Sequence, residues 1–266
     1  ERCTFGICRL WQIFSYKKII YSLIALNPFI MVEVLWNGHN DILMGFLILL
    51  SLYLCFKNQV NLALITLTCS ILSKYLSVAI LPLMLIYFVS RGAKNFPWIG
   101  SLISSGLIYL AWIYYDPFSI HFNKMSNNVL LCHKSSQKTF NSFYKLVIGE
   151  SMPATANLIF LGIFICCLVF LCYKFTKTEN QRLSIFHFSF LAMFLLIFVF
   201  SAKFHSWYLI MILPFGALIH PRFMLMLSLS HMLSLTFLDQ ANIANFVVMT
   251  ALPSVIYFKY LLKQDL

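Results

Sequence analysis

Residues 152–173 have the sequence MPATANLIFLGIFICCLVFLCY, an apolar segment without a single charged side chain. A helix needs about 20 mainly apolar residues to cross the hydrocarbon core of a bilayer. This segment therefore predicts a transmembrane helix. The whole chain of 266 residues has the same character, since 61% of it is hydrophobic and only 10% is charged, against about 25% charged residues in soluble domains. The composition indicates an integral membrane protein.

Apolar segments of this kind recur along the chain, separated by short polar connections. They predict an all-α polytopic membrane protein with about ten transmembrane helices, forming a single domain over residues 1–266. The predicted spans are 19–36, 42–56, 59–73, 75–90, 97–115, 152–173, 184–201, 206–219, 223–238 and 244–260. The segment 116–151 is the one long polar connection between them.

The net charge of +11 follows from basic residues in short loops, so the positive-inside rule explains it better than a nucleic-acid partner. Every second connection is basic, which predicts a multi-pass protein of the inner (cytoplasmic) membrane with both ends of the chain cytoplasmic. The long connection 116–151 is then outside. The residues that carry this pattern are Lys17, Lys18, Lys57, Arg91, Lys94, Lys174, Lys177, Arg182, Arg222, Lys259 and Lys263.

A first polar cluster on the predicted outer side lies at residues 27–41. Glu33, Asn37 and Asp41 share one face if the helix continues through them, and Pro28 interrupts the preceding span. An ionisable group inside a span is costly and usually faces a partner or a cavity. Two interpretations stay open: a functional site, or a Glu33–Lys pair between helices followed by a tight turn.

Two further polar clusters fall on the same predicted side. Lys74 occupies a short outer turn, where it either binds a phosphate or extends to lipid headgroups. Lys203 and His205 precede Trp207 and Tyr208, and these four either bind an anionic substrate or form an aromatic belt with a solvated histidine.

Together these clusters suit an anionic, lipid-linked substrate. Glu33 and Asp41 are the candidate catalytic carboxylates. No metal site is predicted, because the eight cysteines form no CxxC motif. The sequence identifies no cofactor with certainty, and a divalent cation stays an open alternative. The candidate substrate-binding residues are Asn37, His39, Asn40, Lys74, Lys203, His205, Trp207 and Tyr208.

The segment NPFIMVEVLWNGHND, residues 27–41, resembles the NP…E…NGHND segment of bacterial polyprenyl-phosphate-mannose-dependent mannosyltransferases, which belong to the GT-C membrane glycosyltransferases. The Lys74–Tyr75 pair before Leu81–Pro82, and Trp207–Tyr208–Leu209 before Leu213–Pro214, are similar to later segments of that family. The similarity follows most of the chain in order.

The resemblance implies a GT-C-like fold and an inverting transfer of a hexose, typically mannose, from a polyprenyl-phosphate donor. The acceptor is a glycan or a glycolipid, and the chemistry faces away from the cytoplasm. In GT-C enzymes the catalytic acid residue usually lies in a large outer loop after the first span, and nothing before Lys17 supplies one here. Either the chain is a C-terminal fragment without its base, or Asp41 or Glu33 takes that role.

Two other functional classes fit a polytopic chain of this composition. A transporter or lipid flippase needs a path open to both membrane faces, whereas the intramembrane charges here are concentrated near one face. A non-catalytic assembly subunit would need the same carboxylates for complex formation only.

Overall fold

A computed structural model describes residues 26–36, 38, 41–90, 97–115, 156–200, 208–237 and 255. These residues are helical apart from short turns, so the described part of the chain is all-α. Its helices are α1 (Pro28–Trp36), α2 (Asp41–Phe56), α3 (Val60–Ser73), α4 (Leu81–Ser90), α5 (Trp98–Tyr115), α6 (Ala156–Thr176), α7 (Gln181–Phe200), α8 (Leu209–Ile219) and α9 (Pro221–Phe237). A 3-10 segment, Tyr75–Ile80, leads into α4, and α1 and α7 end as π-helices.

Helix α1 begins at Pro28, and the part of the predicted span 19–36 before residue 26 lies outside the described residues. Asn27 has extended backbone, and its side-chain oxygen accepts a hydrogen bond from the Phe29 amide at 3.0 Å. Proline suits the first helical position because its missing N–H would have no intrahelical partner there. The Asn27 amide also donates to Ser228 Oγ at 3.0 Å, which joins α1 to α9.

Helices α1 and α2 are separate, and their axes differ by 117°. Between them Gly38 has a φ of +68°, a left-handed conformation that ends helices and that glycine adopts without steric cost. Glu33 and Asp41 therefore do not lie on one continuous helix, and the shared helix face predicted for a continuous helix is absent. Their side chains depend on two different helices for their positions.

Helices α2 and α3 form an antiparallel hairpin. Asn58, at a φ of +60°, ends α2, and the Gln59 amide donates to the Leu54 carbonyl at 2.8 Å. Two buried serines join the helices: Ser51 donates to the Ala63 carbonyl at 2.6 Å, and Ser70 donates to the Met44 carbonyl at 3.3 Å. Helix α3 consequently returns the chain to the end of the bundle where α2 begins.

The remaining helices pack around this hairpin. Helix α8 packs on α2 and α9, α5 packs on α3, and α7 contacts α4, α6 and α8. The core between them is apolar and rich in phenylalanine, with Phe190, Phe194, Phe198 and Phe215 at most 1% exposed. In contrast, α6 presents large apolar side chains such as Ile159 and Val169 to its surroundings, which fits contact with lipid.

Two described helical stretches are long and apolar enough to cross a membrane, Ile159–Thr176 and Gln181–Phe198, and a third is obtained if α1 and α2 form one bent span. Five described helical stretches are apolar but shorter, and they cover parts of the ranges predicted as spans. The predicted span 244–260, apart from Val255, and the predicted loop 116–151 lie outside the described residues.

Candidate functional site

Three helix ends meet at one end of the described bundle, and each carries one of the predicted site residues. Asp41 is the first residue of α2, Lys74 follows the last residue of α3, and Tyr208 directly precedes α8. The Lys74 side chain contacts both of the others, although 33 residues separate it from Asp41 and many more separate it from Tyr208. We call them the outer cluster.

Asp41 and Lys74 form an ion pair in which the Lys74 ammonium donates to one carboxylate oxygen, Oδ1. Their exposures differ sharply, since the side chain of Asp41 is 3% exposed and that of Lys74 is 26% exposed. Burial of a carboxylate is costly unless a charged partner compensates it. Lys74 supplies that compensation and keeps part of its own surface open.

Tyr208 covers another side of the same ammonium. Its ring centroid lies 4.3 Å from Lys74 Nζ, within the range of a cation–π interaction. The backbone of Lys74 is extended, at a φ of −160°, because α3 ends here and the 3-10 segment has not yet begun. This interruption between two helical segments directs the lysine toward α2 and α8.

Gly45 sets the distance between the helices that carry Asp41 and Tyr208. A Cβ atom at Gly45 would lie 2.6 Å from the backbone oxygen of Met211 on α8. Only glycine permits two helix backbones to approach so closely. Gly45 is one turn from Asp41, so this contact brings the starts of α2 and α8 together. Gly45 was not among the residues predicted from the sequence, although a lone glycine in an apolar helix is the signal for a close helix contact.

Glu33, the other predicted catalytic carboxylate, is 1% exposed and lies in the π-helical part of α1. A π-helical turn is rare and often marks a functional segment. Neither Glu33 nor Asp41 offers an accessible carboxylate surface in the described structure.

The opposite end of the described bundle has a different character. Lys57 follows the end of α2 and is exposed, and the Arg182 guanidinium lies 5.4 Å from the ring centroid of Phe56. Ser90 at the end of α4 donates to Gln181 at the start of α7 at 2.6 Å, which places these termini together. Predicted inner residues thus occupy one end and the outer cluster the other.

Several predicted substrate-binding residues lie outside the described residues, namely Asn37, His39, Asn40, Lys203, His205 and Trp207. Among the residues that the structure does describe, no group of three or more His, Cys, Asp and Glu side chains could hold a metal ion. The described outer cluster therefore consists of one carboxylate, one ammonium and one phenol ring.

Comparison with known proteins connects this region to a family. Residues 4–90, which include Asp41, Lys74 and the hairpin between them, match the family model "Alpha-(1->6)-mannopyranosyltransferase, N-terminal domain". No curated protein and no solved structure matches the chain. The match confirms the resemblance predicted from the segment 27–41: residues 4–90 are similar to the N-terminal domain of the MptA/B alpha-(1->6)-mannopyranosyltransferase family, whose members use polyprenyl-phosphate mannose.

Proposed function

We propose that this chain transfers mannose from a polyprenyl-phosphate donor to the 6-hydroxyl of a mannose in a glycan or lipid-linked acceptor. The observation that carries the proposal is the partly exposed side chain of Lys74 in the outer cluster, within the segment that matches the mannosyltransferase family model. An ammonium held at the end of a helical bundle suits the phosphate of a lipid-linked sugar.

The proposed topology places the outer cluster on the extracytoplasmic side of the inner membrane, in a chain of about ten spans with both ends cytoplasmic. Its support is the separation of Lys57 and Arg182 from Lys74 by the length of the bundle. Helix α2 has 16 residues, so it is about 24 Å long at 1.5 Å per residue. That length supports a position of the outer cluster near the opposite face of a bilayer, whose hydrocarbon core is about 30 Å thick.

In the proposed reaction the acceptor 6-oxygen attacks C1 of the mannose. The C1–O bond to phosphate breaks, and its electron pair leaves on the polyprenyl phosphate, whose added charge is stabilised by Lys74. A carboxylate takes the proton of the acceptor hydroxyl. An inverting reaction that gives an alpha product requires a beta-linked donor, so the anomeric configuration of the product tests the proposed inversion.

Glu33 is 1% exposed and Asp41 is 3% exposed. This burial bears on which carboxylate takes the proton. A general base must come within hydrogen-bond reach of the acceptor hydroxyl. The described structure encloses both side chains, which favours a base from another segment. The predicted ligands Asn40 and Trp207 directly precede Asp41 and Tyr208 in the chain, and we retain them as substrate-binding residues together with Asn37, His39, Lys203 and His205.

Purified protein in lipid nanodiscs tests the proposal with labelled polyprenyl-phosphate mannose and an oligomannoside acceptor. The expected product is a mannoside extended by one alpha-(1→6)-linked residue. Arms with Mg²⁺ and with EDTA decide whether a divalent cation takes part. Movement of the intact labelled donor across proteoliposomes without transfer would instead indicate a flippase. If the protein neither transfers mannose nor moves the donor, but forms a stable complex with another membrane protein, it is an assembly subunit.

A further inference from the structure

The Lys74 ammonium contacts two partners, and the Lys74 side chain keeps part of its surface exposed. Asp41 accepts a hydrogen bond from the ammonium, and the ring centroid of Tyr208 lies 4.3 Å from it. With both contacts in place, the Lys74 side chain is 26% exposed. A flexible four-carbon side chain normally samples many rotamers, so two partners from two other helices restrict where its charge can point.

We propose that Asp41 and Tyr208 are positioning residues that act through Lys74, and that Asp41 is not the general base. They hold the ammonium in one position, where it receives the phosphate of the polyprenyl-phosphate donor. This inference rests on the proposed function for the identity of the anion. The contacts of Asp41 and Tyr208 with Lys74 support the positioning role whichever residue is the base.

The burial of Asp41 distinguishes the two roles. A base would have to meet the acceptor hydroxyl, whereas the side chain of Asp41 is 3% exposed and its Oδ1 is occupied by Lys74. Asp41 also begins helix α2, where the free backbone N–H groups of the first turn favour a negative charge. These surroundings suit a permanent counter-ion, and they leave the lysine as the accessible member of the pair.

Tyr208 contributes through its ring face. Cation–π interactions need an aromatic ring within about 6 Å of the cation, and phenylalanine provides one as tyrosine does. Tyr208→Phe should therefore keep donor affinity within about twofold. Tyr208→Leu removes the ring and should weaken donor affinity by roughly 2- to 30-fold, the range that such interactions span. This pair of variants separates the ring from the rest of the side chain.

A double-mutant cycle on Asp41 and Lys74 tests the positioning role. The variants are Asp41→Asn, Lys74→Gln and their combination, each in nanodiscs and each checked by thermal unfolding. Polyprenyl-phosphate affinity and the donor KM and kcat of transfer are measured for all. Loss of a charge-assisted contact to phosphate should weaken donor binding by about 10- to 150-fold in Lys74→Gln. Asp41→Asn should also weaken donor binding. In the Lys74→Gln background, however, Asp41→Asn should change donor binding by less than about twofold.

The alternatives give different patterns. A catalytic base at Asp41 predicts a fall in kcat by about 100-fold or more in both backgrounds, with donor affinity unchanged. A purely structural ion pair predicts lower thermal stability with unchanged polyprenyl-phosphate affinity in every folded variant. Either pattern overturns the inference, and so does a wild-type protein that does not bind polyprenyl phosphate. Binding that follows the predicted cycle without mannosyl transfer would refute the proposed function while leaving the positioning role in place.

Discussion

Gly45→Ala should disrupt the outer cluster from a distance, because it forces α2 and α8 apart. The added Cβ would lie 2.6 Å from the Met211 oxygen and 3.1 Å from the Ile210 oxygen, and both are backbone atoms that cannot rotate away. To restore an ordinary contact of 3.4 Å, the helices must separate by about 0.8 Å, and overpacking of this kind costs about 1–3 kcal/mol. The start of α2 carries Asp41, so the displacement reaches the site.

The assay is thermal unfolding of purified protein in one fixed lipid composition, followed by donor affinity at a temperature where the variant is folded. Gly106→Ala and Gly162→Ala are the matched controls, because a Cβ at either helical position meets nothing within 4 Å. We expect Gly45→Ala to unfold at lower temperature and to bind donor more weakly, while both controls match the wild type or exceed its stability. A Gly45→Ala protein as stable as the controls would refute the close approach of α2 and α8.

Four further substitutions test how the helices are held. Asn27→Ala removes the cap of α1 and the hydrogen bond to Ser228, so it should lower the free energy of unfolding by about 1–2 kcal/mol in thermal unfolding. Ser228→Ala removes only the hydrogen bond and should lower it less. Equal stability of Asn27→Ala and the wild type would contradict the cap. Ser51→Ala leaves the α2–α3 hairpin without its 2.6 Å hydrogen bond and should cost about 1 kcal/mol in a denaturant titration, whereas a gain in stability would argue against this bond. Gly100→Ala places a Cβ 2.7 Å from the backbone oxygen of Asn61 and should therefore lower the unfolding temperature. An unchanged unfolding temperature would disprove this expectation.

Much of the helical pattern follows from hydrophobicity along the chain. The uncharged apolar runs predict helices close to where α2, α3, α5 and α8 occur, because an apolar backbone segment satisfies its hydrogen bonds most simply in a helix. The interruptions are harder to predict. The 3-10 segment Tyr75–Ile80 is as apolar as the α4 helix that follows it.

The break between α1 and α2 shows the limit of spacing arguments. Glu33, Asn37 and Asp41 are four residues apart, which would align them on one continuous helix. A positive φ at Gly38 separates the helices instead. The glycine itself was visible in the sequence, but a glycine alone does not reveal that the chain changes direction there.

The members of the outer cluster were each found from sequence, whereas their contacts were not. Asp41, Lys74 and Tyr208 stood out as polar or amphipathic residues next to apolar spans. Their association depends on tertiary packing, above all on Gly45 against α8. A lone glycine in an apolar helix indicates a close helix contact, but the sequence does not say which helix makes that contact. The structure also changes the relation between two of them, because the lysine expected to face a phosphate or headgroups is also paired with the carboxylate expected to act as a base.

Transfer of labelled mannose from polyprenyl-phosphate mannose, measured side by side for wild type, Lys74→Gln and Lys57→Gln, tests the account most directly. Lys57 is the matched control because it is an exposed lysine near an aromatic ring, 5.6 Å from the centroid of Tyr53, at the other end of α2. We expect transfer by the wild type, similar transfer by Lys57→Gln, and a donor KM raised about 10- to 150-fold in Lys74→Gln. Transfer by Lys74→Gln with an unchanged donor KM, or no transfer by the wild type, would contradict it.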